Sequence, residues 1–157
     1  MKPSTSKPLR GSTALDSSAL IEYLTGTALG AVLRDYFENM GPTEIAYVSH
    51  LTLAETYYVL CRLEGSESAN QKLSQMLSSN MIQPIASLNL AIETGRLKCV
   101  RAISLPDCSC LATAKETKSQ PVFATQETDL KHEIDRKPFD PAPIFLEDML
   151  SRRDVKP

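Results

Sequence analysis

An α/β sandwich built on a mainly parallel sheet is the fold class this sequence predicts, on three observations. Five short strand-like segments alternate with helix-length segments whose apolar residues recur every three or four positions. The 157 residues, 42% hydrophobic and 23% charged, have the size and composition of one globular domain. No internal repeat or interdomain linker interrupts them.

Residues 1–11, MKPSTSKPLRG, are rich in Pro, Ser and Lys and read as a flexible arm. The domain proper is expected over 12–146, with a charged tail over 147–157. Ser12–Asp16 is predicted as the first strand, ending at an acid. Ser17 or Ser18 caps a helix running to about Leu24, and Gly26 breaks it. Leu29, Val32, Leu33, Tyr36 and Phe37 mark a second helix, closed by Gly41-Pro42. Glu44–Ser49 is the second strand. Leu51–Leu63 is a helix with Leu53, Tyr57, Leu60 and Cys61 on one face, and Gly65 ends it. Ser66–Ser79 is a more polar helix. Met81–Ala86 is a strand whose Pro84 favours an edge position. Leu88, Ala91, Ile92, Gly95 and Cys99 trace the next helix. A further helix runs from Ser104 to about Lys118. Pro121–Thr125 is the fourth strand, Glu127–Glu133 a short helix, and Ile144–Leu146 a last edge strand.

Lys and Arg number 17 against 19 Asp and Glu, a net charge of −2 that argues against a polybasic DNA-coating protein. No 18-residue apolar run predicts a membrane span. Met1–Gly11 lacks the apolar stretch of a signal peptide. Cys61, Cys99, Cys108 and Cys110 lack zinc-site spacing and read as small buried hydrophobes of a reducing cytoplasm. His50 and His132 lack a partner at metal-ligand spacing.

In a parallel α/β sheet the working groups gather beyond the carboxyl ends of the strands, where the strand order reverses. Four acids fall there. Asp16 ends the first strand, and Glu55 lies in the first turns of the helix after the second. Asp107 lies in the first turn of the helix before the fourth strand, and Glu127 follows that strand. Asp129 is a further candidate. Each has a structural reading too. Thr52-Leu-Ala-Glu55 and Ser104-Leu-Pro-Asp107 fit the capping box. Glu127 suits the positive end of a short helix, and Asp16 an Asx turn or helix cap. Two features favour a site. Asp107 shares a helical stripe with Cys110, Leu111 and Ala114, which turns its carboxylate toward the rim of the core. The four acids also converge at one end of the predicted sheet, where they raise one another's pKa and call for a cation. Oxygen ligands without His or Cys select Mg²⁺ or Mn²⁺. Such a centre suits phosphodiester hydrolysis, one metal activating water and a second steadying the leaving oxygen.

The runs LDSSALIEYL (15–24), TLAETYYVL (52–60), SLPDCSCLATAKE (104–116) and PVFATQETDL (121–130) resemble, in order and spacing, the four signature segments of PIN-domain ribonucleases, including VapC-type toxins. The resemblance covers about residues 12–146. It implies a three-layer α/β/α sandwich, an acidic pocket holding Mg²⁺ or Mn²⁺, and endonucleolytic cleavage of RNA. Carried over by motif, Asp16, Glu55 and Asp107 match the first three acids, with Asp16, Asp107 and Glu127 as metal ligands. Thr125 matches a hydroxyl that supports the first acid, and Asp129 is the outer member of the last segment. Glu127 stands where the fourth acid is more often Asp, and Gln126 where many relatives carry Arg. The alternative is a PIN-like RNA- or protein-binding module with a vestigial metal site.

Other nucleotide folds fit poorly. The chain has neither GxxxxGK[ST] nor GxGxxG, and its first strand ends Asp-Ser-Ser rather than Asp-x-Asp. Arg96, Lys98, Arg101, Lys115 and Lys118 read first as solvated helix faces, and some of them offer a rim that tracks phosphates. Tyr57 and Tyr58 cannot face the same way, so one is expected in the core and one is available to stack on a base. The Leu29–Phe37 and Leu53–Leu60 helices carry more apolar residues than one face needs, which suits a homodimer or a partner helix. The toxin resemblance implies an antitoxin partner that inserts a cation at the acids.

Overall fold

The computed structural model describes residues 8–150. Five strands, β1 (Thr13–Leu15), β2 (Ala46–Ser49), β3 (Gln83–Ile85), β4 (Gln120–Phe123) and β5 (Ile144–Phe145), pair in the order β3-β2-β1-β4-β5. Every pairing is parallel. Parallel strands need long crossovers and covered faces. Helices supply both: α1 (Ser17–Leu24), α2 (Ala28–Glu38), α3 (His50–Glu64), α4 (Ser66–Ser78), α5 (Leu88–Val100), α6 (Leu105–Thr117) and α7 (Thr128–Arg136). This is the expected three-layer α/β/α sandwich. A 3-10 turn over Leu146–Met149 follows β5. Among the described residues no helix is long and apolar enough to cross a membrane.

The pleat sends neighbouring residues of one strand to opposite faces. Leu15, Val48 and Val122 join Leu20, Leu33, Tyr36 and Leu73 in one apolar cluster. Ala14, Phe123 and Phe145 join Leu111, Leu130 and Phe139 in the other. Pro84 lies in β3, at one edge of the sheet, where a missing N–H is tolerated. Strand order reverses beside β1, so the switch point falls beyond Leu15, at Asp16.

Three expectations are corrected. The cap of α1 is Asp16 itself, whose carboxylate accepts from the Ser18 N–H, and not Ser17 or Ser18. Leu9 is buried in the first cluster, and Met149 packs against it, so the packed domain reaches beyond 12–146 at both ends. Residues 1–7 of the expected arm and 151–157 of the tail lie outside the described residues. The apolar residues of α2 and α3 that looked surplus, Leu29, Val32, Phe37, Leu53 and Tyr57, pack on the core. Of the large apolar side chains on α3 only Tyr58 and Leu63 remain exposed, while α5 presents an uncovered apolar face. Its buried residues are Leu90 and Thr94. Leu88 is 81% exposed and Ile92 49%, and Ala91, Gly95 and Cys99 are exposed beside them. Cys108 and Cys110 are buried as expected, and Cys61 is half-buried.

Sequence periodicity gave no sign of one close approach. A Cβ on Gly30, in the first turn of α2, would lie 2.1 Å from the Glu22 carbonyl oxygen of α1. The two helices meet backbone to backbone there, and glycine is the residue that permits it. Gly30→Ala should therefore destabilise the protein by about 1–3 kcal/mol in urea unfolding. Gly95→Ala, in α5 with nothing within 4 Å of the added methyl, should stabilise it by about 0.5–1 kcal/mol. Equal effects of the two changes would refute the close approach.

Candidate active site

Asp16 follows β1 directly, so its side chain sits at the carboxyl end of the sheet and is only 2% exposed. One oxygen, Oδ2, accepts from the Ser18 backbone N–H at 3.0 Å and from the Ser18 hydroxyl at 2.7 Å. The other, Oδ1, is buried without a hydrogen-bond partner, the one such side-chain atom among the described residues. An unpartnered buried carboxylate oxygen is costly unless it is protonated or meets a cation.

Glu55 reaches the site from α3. The cap of that helix is Ser49, whose hydroxyl accepts from the Thr52 N–H. Thr52 is thus inside the helix, and the capping box suggested for Thr52–Glu55 does not form. Glu55 instead accepts a short hydrogen bond from the Ser17 hydroxyl. Asp107 lies in the first turn of α6, half-buried, with Ser104 capping through its hydroxyl to the Asp107 N–H at 3.2 Å. Half of the capping box is therefore real at this position. Glu127 is the N-cap residue of α7, but its side chain makes no capping bond. Asp129 follows in the first turn of α7, and both acids are exposed.

The carboxyl groups feel one another. Burial first, then the Asp107 charge, pushes the Asp16 carboxyl up to about 7, against the pull of the Ser18 bonds, and Glu55 adds to the rise. Burial also pushes Asp107 up to about 6. The Ser104 hydroxyl opposes this, and the charges of Glu127, Glu55 and Asp129 reinforce it. The five acids thus share one electrostatic neighbourhood, though among the described residues no three of them close into a compact ligand cage.

Thr125 is exposed, and the hydroxyl that bonds Asp16 is that of Ser18. Ser18 also accepts from the Ala124 N–H at 3.0 Å, tying the ends of β1 and β4 together. Glu147 steadies the same turn, since its N–H donates to the Ala124 carbonyl and its carboxylate accepts from the Gln126 N–H. Sequence reasoning missed all three roles. Ser17-Ser18 registered only as caps, and the contacts of Ser18 and Glu147 with the β4 turn span 106 and 21 residues.

Of the candidate phosphate contacts, Arg101 is buried. It donates to the Glu133 and Lys137 carbonyls, pairs with the Glu133 carboxylate at 3.6 Å and lies over the Phe139 ring. Its job is to fasten the end of α5 to α7. Arg96 pairs with Glu93, and Lys98 donates to the Ile103 carbonyl. Lys115 and Lys118 are exposed. Tyr57 packs on the core, while Tyr58 is exposed with Arg62 over its ring. A hollow of about 630 Å³ between α5, α6 and residues 137–141 is lined by none of Asp16, Glu55, Asp107, Glu127 and Asp129.

The raised carboxyls fix the sign of a pH effect. The folded state keeps its protons to higher pH than an unfolded chain with ordinary aspartates, so stability falls as pH rises from about 4 toward 7. With divalent cations chelated, the unfolding free energy should drop by roughly 2–4 kcal/mol over that window. Asp16→Asn should remove most of the drop and stabilise the protein at neutral pH. An unchanged slope in that variant would contradict the burial of this carboxylate.

The comparisons agree with the fold. The family model for the PIN domain matches residues 13–133. No curated protein matches the chain in sequence. Among solved structures, VapC20 of Mycobacterium tuberculosis, a sarcin-ricin loop cleaving toxin, superposes with a TM-score of 0.59 at 18% identity. That match covers 75% of this chain and 92% of the toxin. A toxin-antitoxin complex from Klebsiella pneumoniae gives 0.59 at 18% identity over 86% of this chain and 98% of that one. VapBC-1 from nontypeable Haemophilus influenzae gives 0.58 at 16% identity over 85% and 96%. The switch-point acids, the parallel sheet and the family match over most of the sequence lead to one conclusion: the chain belongs to the PIN domain family.

Proposed function

We propose that this protein is a divalent-metal-dependent endoribonuclease of the toxin type, hydrolysing RNA phosphodiester bonds at the Asp16–Glu55–Asp107–Glu127 site. The observation that carries the reading is the buried, unpartnered Oδ1 of Asp16, a carboxylate that feels the charges of Asp107 and Glu55, with Asp107 in turn feeling Glu127 and Asp129. An all-oxygen set of this kind fits a hard cation, Mg²⁺ or Mn²⁺. Asp16 and Asp107 would hold it from the buried side and Glu127 from the open side, with Asp129 at the rim. The chemistry such an ion supplies is activation of a water and neutralisation of charge at the scissile phosphate.

The remaining work falls to this chain's own groups. Glu55, anchored through Oε1 by Ser17, presents Oε2 to take a proton from the attacking water. Ser104 steadies Asp107 from the cap of α6. The exposed side of Glu127 and Asp129 leaves room for a single strand of RNA to approach. The reading extends to partners by analogy with the neighbours that are toxin-antitoxin complexes. An antitoxin protein would silence the site by placing a cationic side chain among the acids, and the apolar outer face of α5 suits a second copy of the chain. The reducing interior implied by the unpaired cysteines suits the cytoplasm.

With Mg²⁺ or Mn²⁺ present, the wild type should cleave single-stranded RNA, and EDTA should stop it. Asp16→Asn, Glu55→Gln and Asp107→Asn should each lower the rate about 100-fold or more while circular dichroism stays native. Saturating Mn²⁺ at about 100 times its Kd should raise the stability of the wild type by about 2.7 kcal/mol, and that of Asp107→Asn much less. RNA binding without cleavage, unaltered by these substitutions, would identify the binding module instead.

A further inference from the structure

We propose that Ser18 is a positioning residue of the acidic site, its hydroxyl clamping the Asp16 carboxylate to the end of β4. This rests on the reading of the acids as a metal centre and goes beyond it in naming what aims the first ligand. Capping α1 requires only the backbone bond from the Ser18 N–H to Asp16 Oδ2. The hydroxyl does something further. It donates to the same Oδ2 at 2.7 Å and accepts from the Ala124 N–H at 3.0 Å. Two donors from one residue therefore converge on a single oxygen of Asp16.

That convergence has two consequences. It stops the carboxylate from rotating, so the other oxygen, Oδ1, is held as the buried, unpartnered one. It also locks the turn after β4, which carries Glu127 and Asp129, to the start of α1. The β1–β4 ladder and the Asp16 N–H bond to the Val122 carbonyl bring the two strand ends side by side, and the Ser18 hydroxyl adds the side-chain link between the first acid and the β4 turn. Ser17 repeats the device next door, its hydroxyl holding Glu55 from α3. Groups that orient a metal ligand without touching the metal commonly change affinity or activity by about 10–100-fold.

The test measures Mn²⁺ affinity of the full chain by calorimetry or by the paramagnetic resonance of the free ion, alongside RNA cleavage. Ser18→Ala should weaken Mn²⁺ binding about 10-fold or more and lower kcat with KM little changed. Its thermal midpoint should move by only a few degrees, roughly the effect of one hydrogen bond. Ser18→Thr, which restores the hydroxyl, should recover most of the lost affinity. Ser18→Cys, a poor donor of similar length, should track Ser18→Ala and covers the case of an unfolded alanine variant. Unchanged Mn²⁺ affinity in Ser18→Ala or Ser18→Cys, with Asp16→Asn clearly impaired, would overturn the role of Ser18 alone. Wild type binding Mn²⁺ no better than Asp16→Asn would overturn the metal centre as well.

Discussion

A carboxylate buried at the end of the central strand, with one oxygen fully satisfied and the other without a partner, is the constraint around which this molecule is arranged. β1 delivers Asp16 to the switch point of the sheet, and the packing of α1 removes it from water. The Ser18 hydroxyl and N–H satisfy Oδ2 and leave Oδ1 unanswered. Burial is the largest cause of its raised pKa, ahead of any neighbouring acid. The folded protein is therefore stabilised by whatever neutralises that charge, a bound proton first of all. A fold that keeps such a group is stabilised elsewhere, by the two apolar clusters on either side of the sheet.

α6 shows how the packing brings the second acid near the first. From Cys108 to Ala114 every residue of this helix is buried. Leu111 is the largest of them; the rest are Cys, Ser, Ala and Thr, which let the helix lie close against the sheet. Cys110 bonds the Ala14 carbonyl in β1, and Ser109 donates to the Ser49 hydroxyl at the cap of α3. Asp107, one turn before these contacts, is thereby fixed relative to both β1 and α3. A helix with a single apolar stripe and long side chains would stand farther off, and the Asp107 carboxylate with it.

The opposite pole of the electrostatics lies where α5 meets α7. Arg101 and Arg136 converge on Glu133, whose carboxylate also accepts from the Ala102 N–H. The Arg136 bond and the Ala102 N–H hold that acid well below the usual carboxylate range. The contrast with Asp16 is instructive. Both acids are buried in the sandwich, but Glu133 is surrounded by donors and cations, whereas Asp16 faces other acids. One arrangement fastens two helices together, and the other invites a ligand.

The sequence by itself determined the element order, the parallel sheet, the edge position of Pro84 and the four motif segments that bear acids. These follow from local periodicity, turn residues and motif order, all of which lie within short windows. It also marked Asp107 as inward-facing, because its stripe of Cys110, Leu111 and Ala114 is legible on one helix. Only the tertiary structure decided which hydroxyl holds Asp16, since the bond from Ala124 to Ser18 joins residues 106 apart. The same holds for Arg101, which looked like a phosphate contact until Glu133 and Phe139 were seen to enclose it. The apolar stripe of α5 marks the helix, but a helix taken alone does not say which face its neighbours cover. Periodicity records that a face is apolar; packing against the rest of the chain decides whether that face is buried.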